Sequence, residues 1–378
     1  MSGPLESVTV VELAGIGPGP YAGMILADMG ARVIKVERVI PGPQLIPAPR
    51  RTEVMERGKE SIGIDLKSDE GRTIALELVA IADALIEGFR PGVTERLGLG
   101  PDAVLAANSS IVYGRITGWG QSGPLARTAG HDIDYLAVAG ALGAIGAEDP
   151  VVPLNLIADF GGGGMFLAAG VVAGVLGARA SGRGTVIDAA MVDGVAHLSS
   201  MMHGGMAAGW WVPRRGSNLL DGGAPFYDVY RTSDGEHMAV GALEPEFFEA
   251  FVDLLGIGEE WGGRQADVES WPAMREEIGR RFARGTRDHW IEVFADSDAC
   301  VAPVMSMAEA TRHPHTRARR TFIDVGGVVQ PGRAPRFDGV DDPIESPPDH
   351  GADTGTVLAD LGYSTDDVER LRSQGVVS

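Results

Sequence analysis

Residues 8–37, VTVVELAGIGPGPYAGMILADMGARVIKVE, decide the fold. An apolar run over Val8–Leu13 leads into a Gly/Pro turn at Gly15–Pro20. A segment with helical spacing, Ala22–Met29, follows, and then a second β-branched run, Arg32–Val36. Two strands joined by one helix make a right-handed crossover and lie parallel. The texture repeats. Ser61–Leu66 reads as a third strand, followed by a helix that Ser68 caps and whose first turn Asp69 and Glu70 suit. Asp83–Ile86 is a fourth strand and Ile111–Thr117 a fifth, and TVIDAAMV from Thr185 predicts one more strand running into a helix. The expected fold class is α/β, with a Rossmann-like parallel sheet. From Asp221 the pattern changes. DGGAPFYDVYRTSDGEHMAVGAL holds two short strand patterns around Ser233-Asp234-Gly235, a hairpin signal. The next helix puts Phe247, Phe248, Phe251, Leu254 and Leu255 on one face and stops at Gly256, so a smaller α+β domain is expected here.

Composition narrows the function. Among 378 residues, 32 Lys+Arg stand against 52 Asp+Glu for a formal charge of −20, which repels nucleic acid and anionic lipid. The hydrophobic fraction of 44% is enough to build a sizeable core. The single cysteine, Cys300, cannot form an intrachain disulfide, and MSGPLESVTVVEL lacks the basic start and apolar run of a signal peptide. A cytoplasmic location is the expectation. Phe160–Ala178 carries no charge and has the GxxxG pair Gly170 and Gly174. Four glycines open it, so it is expected to be a buried helix rather than a membrane span.

Ligands of open α/β sheets bind beyond the carboxyl ends of the strands. Those positions hold Arg38, the run Ile64-Asp65-Leu66-Lys67, the run Gly88-Phe89-Arg90, and Arg96 shortly after. Between Arg32 and Glu60 seven basic residues (Arg32, Lys35, Arg38, Arg50, Arg51, Arg57, Lys59) outnumber four acidic ones. A local positive excess in an acidic chain suits a phosphate-rich ligand; the competing reading is that these groups pair with neighbouring glutamates. A nicotinamide fingerprint at Gly15–Pro20 is disfavoured, because Pro18 and Pro20 each remove an amide that a pyrophosphate needs. Gly130-His131-Asp132-Ile133-Asp134-Tyr135 opens a helix whose positive end favours a neutral imidazole able to act as base, although Asp132 and Asp134 oppose that preference. Asp159 precedes Gly161–Gly164, where a carboxylate beside free amides is either a helix cap or an acid/base next to oxyanion donors. Glu244 precedes the helix-starting Pro245. His313 and His315 lack partners for zinc, and no metal is expected.

Six blocks, VVELAGIGPGPYAGMILADMGARVIKVER, IEGFRPGVTERLGLGP, GRITGWGQSGP, GHDIDYLA, PLNLIADFGGGG and GGAPFYDVY, together resemble the α-methylacyl-CoA racemase branch of the family III CoA-transferase superfamily. The resemblance runs from the first strand to the C-terminal helix. It implies an interlocked homodimer with each active site between the large domain of one subunit and the small domain of the other. It implies a large domain of 1–190 and 329–378, a linker of 191–224, a small domain of 225–314 and a linker of 315–328. By the resemblance, Arg38, Ile64, Asp65, Leu66, Lys67, Gly88, Phe89, Arg90, Arg96, Gly130, Asp132, Ile133, Asp134 and Tyr135 hold the CoA substrate. His131 and Asp159 are then the two acid/bases of a 1,1-proton transfer at C2 of a 2-methylacyl-CoA thioester, and Glu244 orients His131. No cofactor is implied beyond the CoA that belongs to the substrate. The alternative within the superfamily is CoA transfer through an acyl anhydride on Asp159, which does not need His131. One departure is Asp134, where the family pattern has asparagine.

Overall fold

The computed structural model describes residues 3–42, 47–340 and 342–378. The chain divides into two compact units, one of Met1–Ala139, Leu154–Leu198 and Arg317–Ser378, the other of Gly140–Pro153 and Ser199–Thr316. The expected large domain, 1–190 and 329–378, differs from the first unit in that Gly140–Pro153 groups with the second and residues 191–198 and 317–328 belong to the first.

The first unit is built on six parallel strands: β1 (Thr9–Leu13), β2 (Arg32–Glu37), β3 (Lys59–Gly63), β4 (Ala84–Glu87), β5 (Val112–Thr117) and β6 (Thr185–Ala190). Their order is β3-β2-β1-β4-β5-β6, the doubly wound order in which the winding reverses between β1 and β4. Side chains alternate across the sheet. Val10, Val33, Ala84, Ile86 and Val112 face one core, and Val11, Ile34, Val36, Leu85 and Tyr113 the other. Helices cover both faces. The first core takes α1 (Pro18–Asp28), which starts from Gly17 at φ 68° with Pro18 in its first turn, where a missing amide costs nothing. The second takes α2 (Asp69–Ile81), whose cap Ser68 accepts from the Gly71 amide at 3.0 Å. The chain terminus returns to this second face: Val357, Leu358 and Leu371 join its core, and the Asp65 amide donates to the Val376 carbonyl at 2.8 Å.

The third strand runs over Lys59–Gly63 and not Ser61–Leu66, because Lys59 can lie in the sheet once its charge is matched inside the protein. After β5 come α3 (Asp132–Val138) and then a segment that differs from the expected cap and helix. Leu156–Gly164 is a nine-residue π-helix running directly into α4 (Met165–Ser181). Leu156–Ser181 is long and apolar enough to cross a membrane by length and composition, yet Leu167, Ala168, Val171 and Val175 belong to the sheet core. Strand β6 leads into α5 (Met191–Leu198), as the TVIDAAMV run predicts.

In the second unit β7 (Tyr227–Arg231), β8 (His237–Gly241) and β9 (Val301–Pro303) form an antiparallel sheet in that order. The hairpin turn uses Gly235 at φ 86°. Helix α6 (Pro245–Leu254) buries Phe251 against Phe282 and Phe294 and Phe248 against Phe226, and Gly256 at φ 75° ends it. The expected linker 191–224 holds α5 and a further helix, Ser200–Ala208. The expected linker 315–328 holds strand Phe322–Val325, which pairs with Val328–Pro331 in a hairpin of the first unit.

Candidate active site

The two loops at the winding reversal carry the first parts of the site. After β4, the Phe89 amide donates to Glu87 Oε2 at 2.6 Å, and Glu87 Oε1 accepts from Arg115 Nε at 2.9 Å. Arg115 also holds Glu95 at 2.8 Å, so one buried guanidinium ties β4 and β5 to the turn leading to Arg96. Burial pushes the Glu87 carboxyl above its ordinary value despite these partners. After β1, Gly17 lies against Asp159: a methyl group placed on it would be 3.6 Å from Asp159 Oδ2.

The GHDIDY segment packs beside these loops. Tyr135 is 6% exposed, its ring meets Trp119 edge-on at 4.8 Å, and its hydroxyl donates to the Gly130 carbonyl. Gly118 exists for this ring, since a methyl group there would lie 2.0 Å from it. Burial, with the carboxylates of Asp159 and Asp134 behind it, pushes the Tyr135 hydroxyl up to about 12, and Arg90 opposes that shift. His131 is exposed at the N-cap of α3. Its amide donates to Asp134 Oδ2 at 2.9 Å, which gives the unexpected carboxylate a local job as reciprocal cap.

Asp159 stands half-buried in the π-helix. Burial chiefly, and then the Asp132 carboxylate, raise its carboxyl above the ordinary range; a hydrogen bond from Asn155 Nδ2 at 3.2 Å and the His131 imidazole pull the other way. Asn155 went unread in the sequence, although its position four residues before Asp159 is a helical spacing. The residue before it, Leu154, is held at φ 62°, a region that L residues rarely occupy. A left-handed leucine next to a π-helix concentrates backbone strain where the carboxylate is presented.

Two expectations are corrected. The amides beside Asp159 are not free to serve an oxyanion: those of Ala158 and Asp159 donate to Asp132 Oδ1 at 2.9 and 2.7 Å. The glycine run serves packing instead. A methyl group on Gly162 would lie 2.9 Å from the Val195 amide, and one on Gly164 2.7 Å from Tyr21, so Gly161–Gly164 let α1 and α5 approach the π-helix closely. The basic excess at Arg32–Glu60 is also mostly internal. Lys35 and Lys59, both buried, sit 2.8 and 3.1 Å from Glu56, with Glu12 2.7 Å from Lys59. Arg50 pairs with Glu37 and Glu53, Arg57 with Asp28, and Arg32 with Glu60 and Asp360. Among the described residues, Arg38 and Arg51 have no ion pair and are exposed.

Of the other expected ligand residues, Lys67, Gly88, Arg90, Arg96 and Ile133 are exposed and Phe89 half-buried. Ile64 is core, bridging to Val377, and Leu66 packs against the same core. Asp65 Oδ1 turns back to accept from the Lys67 amide at 3.1 Å. Glu244 lies in the second unit, exposed at the N-cap of α6, where its charge helps to raise the Cys300 thiol. No group of His, Cys, Asp or Glu among the described residues is arranged to hold a metal ion.

The fold is that of a doubly wound α/β protein whose winding reverses between β1 and β4, with Asp132 tying the His131 end of α3 to the π-helix that carries Asp159. Residues 5–354 match the description of CoA-transferase family III, and the chain belongs to that family. It is 43% identical to alpha-methylacyl-CoA racemase of Mus musculus, over 99% of this chain and 97% of that protein. It is 40% identical to the Homo sapiens racemase over the same shares, and 32% identical to the acetyl-CoA:oxalate CoA-transferase of Acetobacter aceti, over 91% of this chain and 92% of that one. A crystal structure of a CAIB/BAIF family protein from Brucella suis superposes with a TM-score of 0.79 at 27% identity, covering 96% of this chain and all of the other.

Proposed function

We propose that the protein is an α-methylacyl-CoA racemase, interconverting (2R)- and (2S)-2-methylacyl-CoA thioesters by 1,1-proton transfer at C2. The observation that supports this reading is that Asp132, directly after His131, accepts the Asp159 amide at 2.7 Å, which ties the element bearing the imidazole to the element bearing the carboxyl. Inversion at C2 needs one group to remove the proton from one face and a second to deliver a proton to the other; a single base tends to return it where it came from. A carboxyl raised by burial holds a proton further up the pH scale than an ordinary carboxylate, which suits it to donate while a neutral imidazole accepts. Loss of the C2 proton gives an enolate, whose oxygen takes its hydrogen bonds from groups other than the Ala158 and Asp159 amides, since Asp132 occupies those.

The CoA part lies along the strand ends, with Arg38, Arg90 and Arg96 toward its phosphates, and this remote binding positions C2 between the two acid/bases. No cofactor takes part. Two copies interlock, and Glu244 from the small domain of the second copy orients His131. His131→Ala separates racemisation from transfer through an Asp159 anhydride. Epimerisation by the unsubstituted protein that is lost in the variant supports the racemase reading; epimerisation that survives contradicts the role of His131, and CoA transfer to a free carboxylic acid that survives, with no epimerisation by the unsubstituted protein, contradicts the racemase.

A further inference from the structure

The two proposed acid/bases sit on different elements, His131 at the N-terminus of α3 and Asp159 in the π-helix. One side chain joins those elements at this point. Asp132, directly after His131 and 7% exposed, accepts the Ala158 and Asp159 amides on a single oxygen at 2.9 and 2.7 Å. The first amides of a helix have no acceptor of their own, so Asp132 caps the π-helix from a distant part of the chain. Adjacent charge-assisted bonds fix the direction of the turn as well as its place. The other oxygen, Oδ2, is enclosed and has no hydrogen-bond partner. A cap alone does not require that: asparagine accepts the same two bonds without burying an incompletely satisfied charge.

Resting on the racemase reading, we propose that Asp132 is a positioning residue for the acid/base pair and not a ligand of CoA: it locks the π-helical turn to the α3 N-terminus and thereby sets the separation and orientation of His131 and Asp159. Its charge has a second effect. The charged groups acting on Asp159 are Asp132 and His131, both at the start of α3, and from α1 and α5 the side chains or backbone of Tyr21, Met191, Gly194, Val195 and Leu198 pack against the glycines of the turn. A carboxylate held beneath Asp159 disfavours a second negative charge there, which helps to keep the Asp159 carboxyl raised.

The test compares the full-length protein with Asp132→Ala and Asp132→Asn, following C2-proton exchange of a 2-methylacyl-CoA in deuterated water and backbone hydrogen exchange at Ala158 and Asp159. C2 exchange by the unsubstituted protein is the control on the racemase reading, while the amide exchange reads the strut without any activity. In Asp132→Ala the two amides lose protection and kcat falls roughly 100-fold with KM nearly unchanged. Asp132→Asn keeps the amides protected and recovers most of kcat, and its pH–rate profile moves to lower pH because a charge that raised Asp159 is gone. Protected amides with undiminished kcat in Asp132→Ala overturn the proposal. So does a loss confined to KM, which returns Asp132 to CoA binding. If Asp132→Ala does not fold, Asp132→Asn decides: a profile superimposable on that of the unsubstituted protein overturns it.

Discussion

Asp159 shows how position sets the chemistry of one residue. The same carboxyl on an open helix end is a cap; here burial and the neighbouring Asp132 raise it while Asn155 and His131 restrain it. Replacing Asp159 by Asn keeps the shape and removes the proton-transfer group, so C2 exchange is expected to fall roughly 100- to 10,000-fold, read by NMR with thioester binding measured separately. The same loss is expected for His131→Ala. Asn155→Ala has a predictable sign. The Asn155 amide stabilises the ionised form of Asp159, so removing it raises the carboxyl further, and the limb of the pH–rate profile that Asp159 governs moves to higher pH. A shift to lower pH, or none, means that Asn155 does not serve the carboxylate.

At the level of elements, the carboxylate is presented by close helix packing. Gly194 on α5 touches the π-helix backbone: a methyl group there would lie 1.9 Å from the Gly162 carbonyl oxygen. Gly194→Ala must therefore push the two elements apart, with an expected destabilisation of about 1–3 kcal/mol in denaturant unfolding and a loss of C2 exchange larger than that destabilisation explains. Wild-type activity in that variant contradicts the packing argument. Much of this level was legible in the sequence, because β1, β2, β5 and the α6 face rest on periodicity and local caps such as Ser68 and Gly256. Two things were not. The π-helix depends on partners remote in sequence, Asp132 at one end and Gly194 along its side, which no local pattern announces. The basic run also misled, because charge counting cannot distinguish a phosphate site from ion pairs whose acids lie elsewhere in the chain, as Glu12, Asp28 and Asp360 do. Arg38, Arg90 and Arg96 stand out in the sequence because they follow strands β2 and β4, beyond whose carboxyl ends ligands of such sheets bind.

For the molecule as a whole, the buried ion network sets the acid limit of stability. Charges on Lys35, Lys59 and Arg50 hold Glu56 and Glu37 below the ordinary carboxylate range against the opposing effect of burial. A carboxyl depressed in the folded state stabilises the fold above its unfolded value, and that stability is lost as pH falls through the folded one. Unfolding free energy measured by denaturant titration is therefore expected to drop below about pH 4, and Glu56→Gln is expected to flatten the drop. An equal slope in the variant contradicts that assignment. The interlocked dimer proposed above would give twice the 39.6 kDa of one chain in sedimentation; a monomer that still epimerises overturns the shared site. The central claim is chemical, and the most direct test is proton NMR of a single-enantiomer 2-methylacyl-CoA in deuterated water with the protein and no acceptor acid. Loss of the C2 proton signal together with appearance of the other epimer is the predicted result. An unexchanged C2 proton, with CoA passing to a carboxylic acid once one is added, would contradict it.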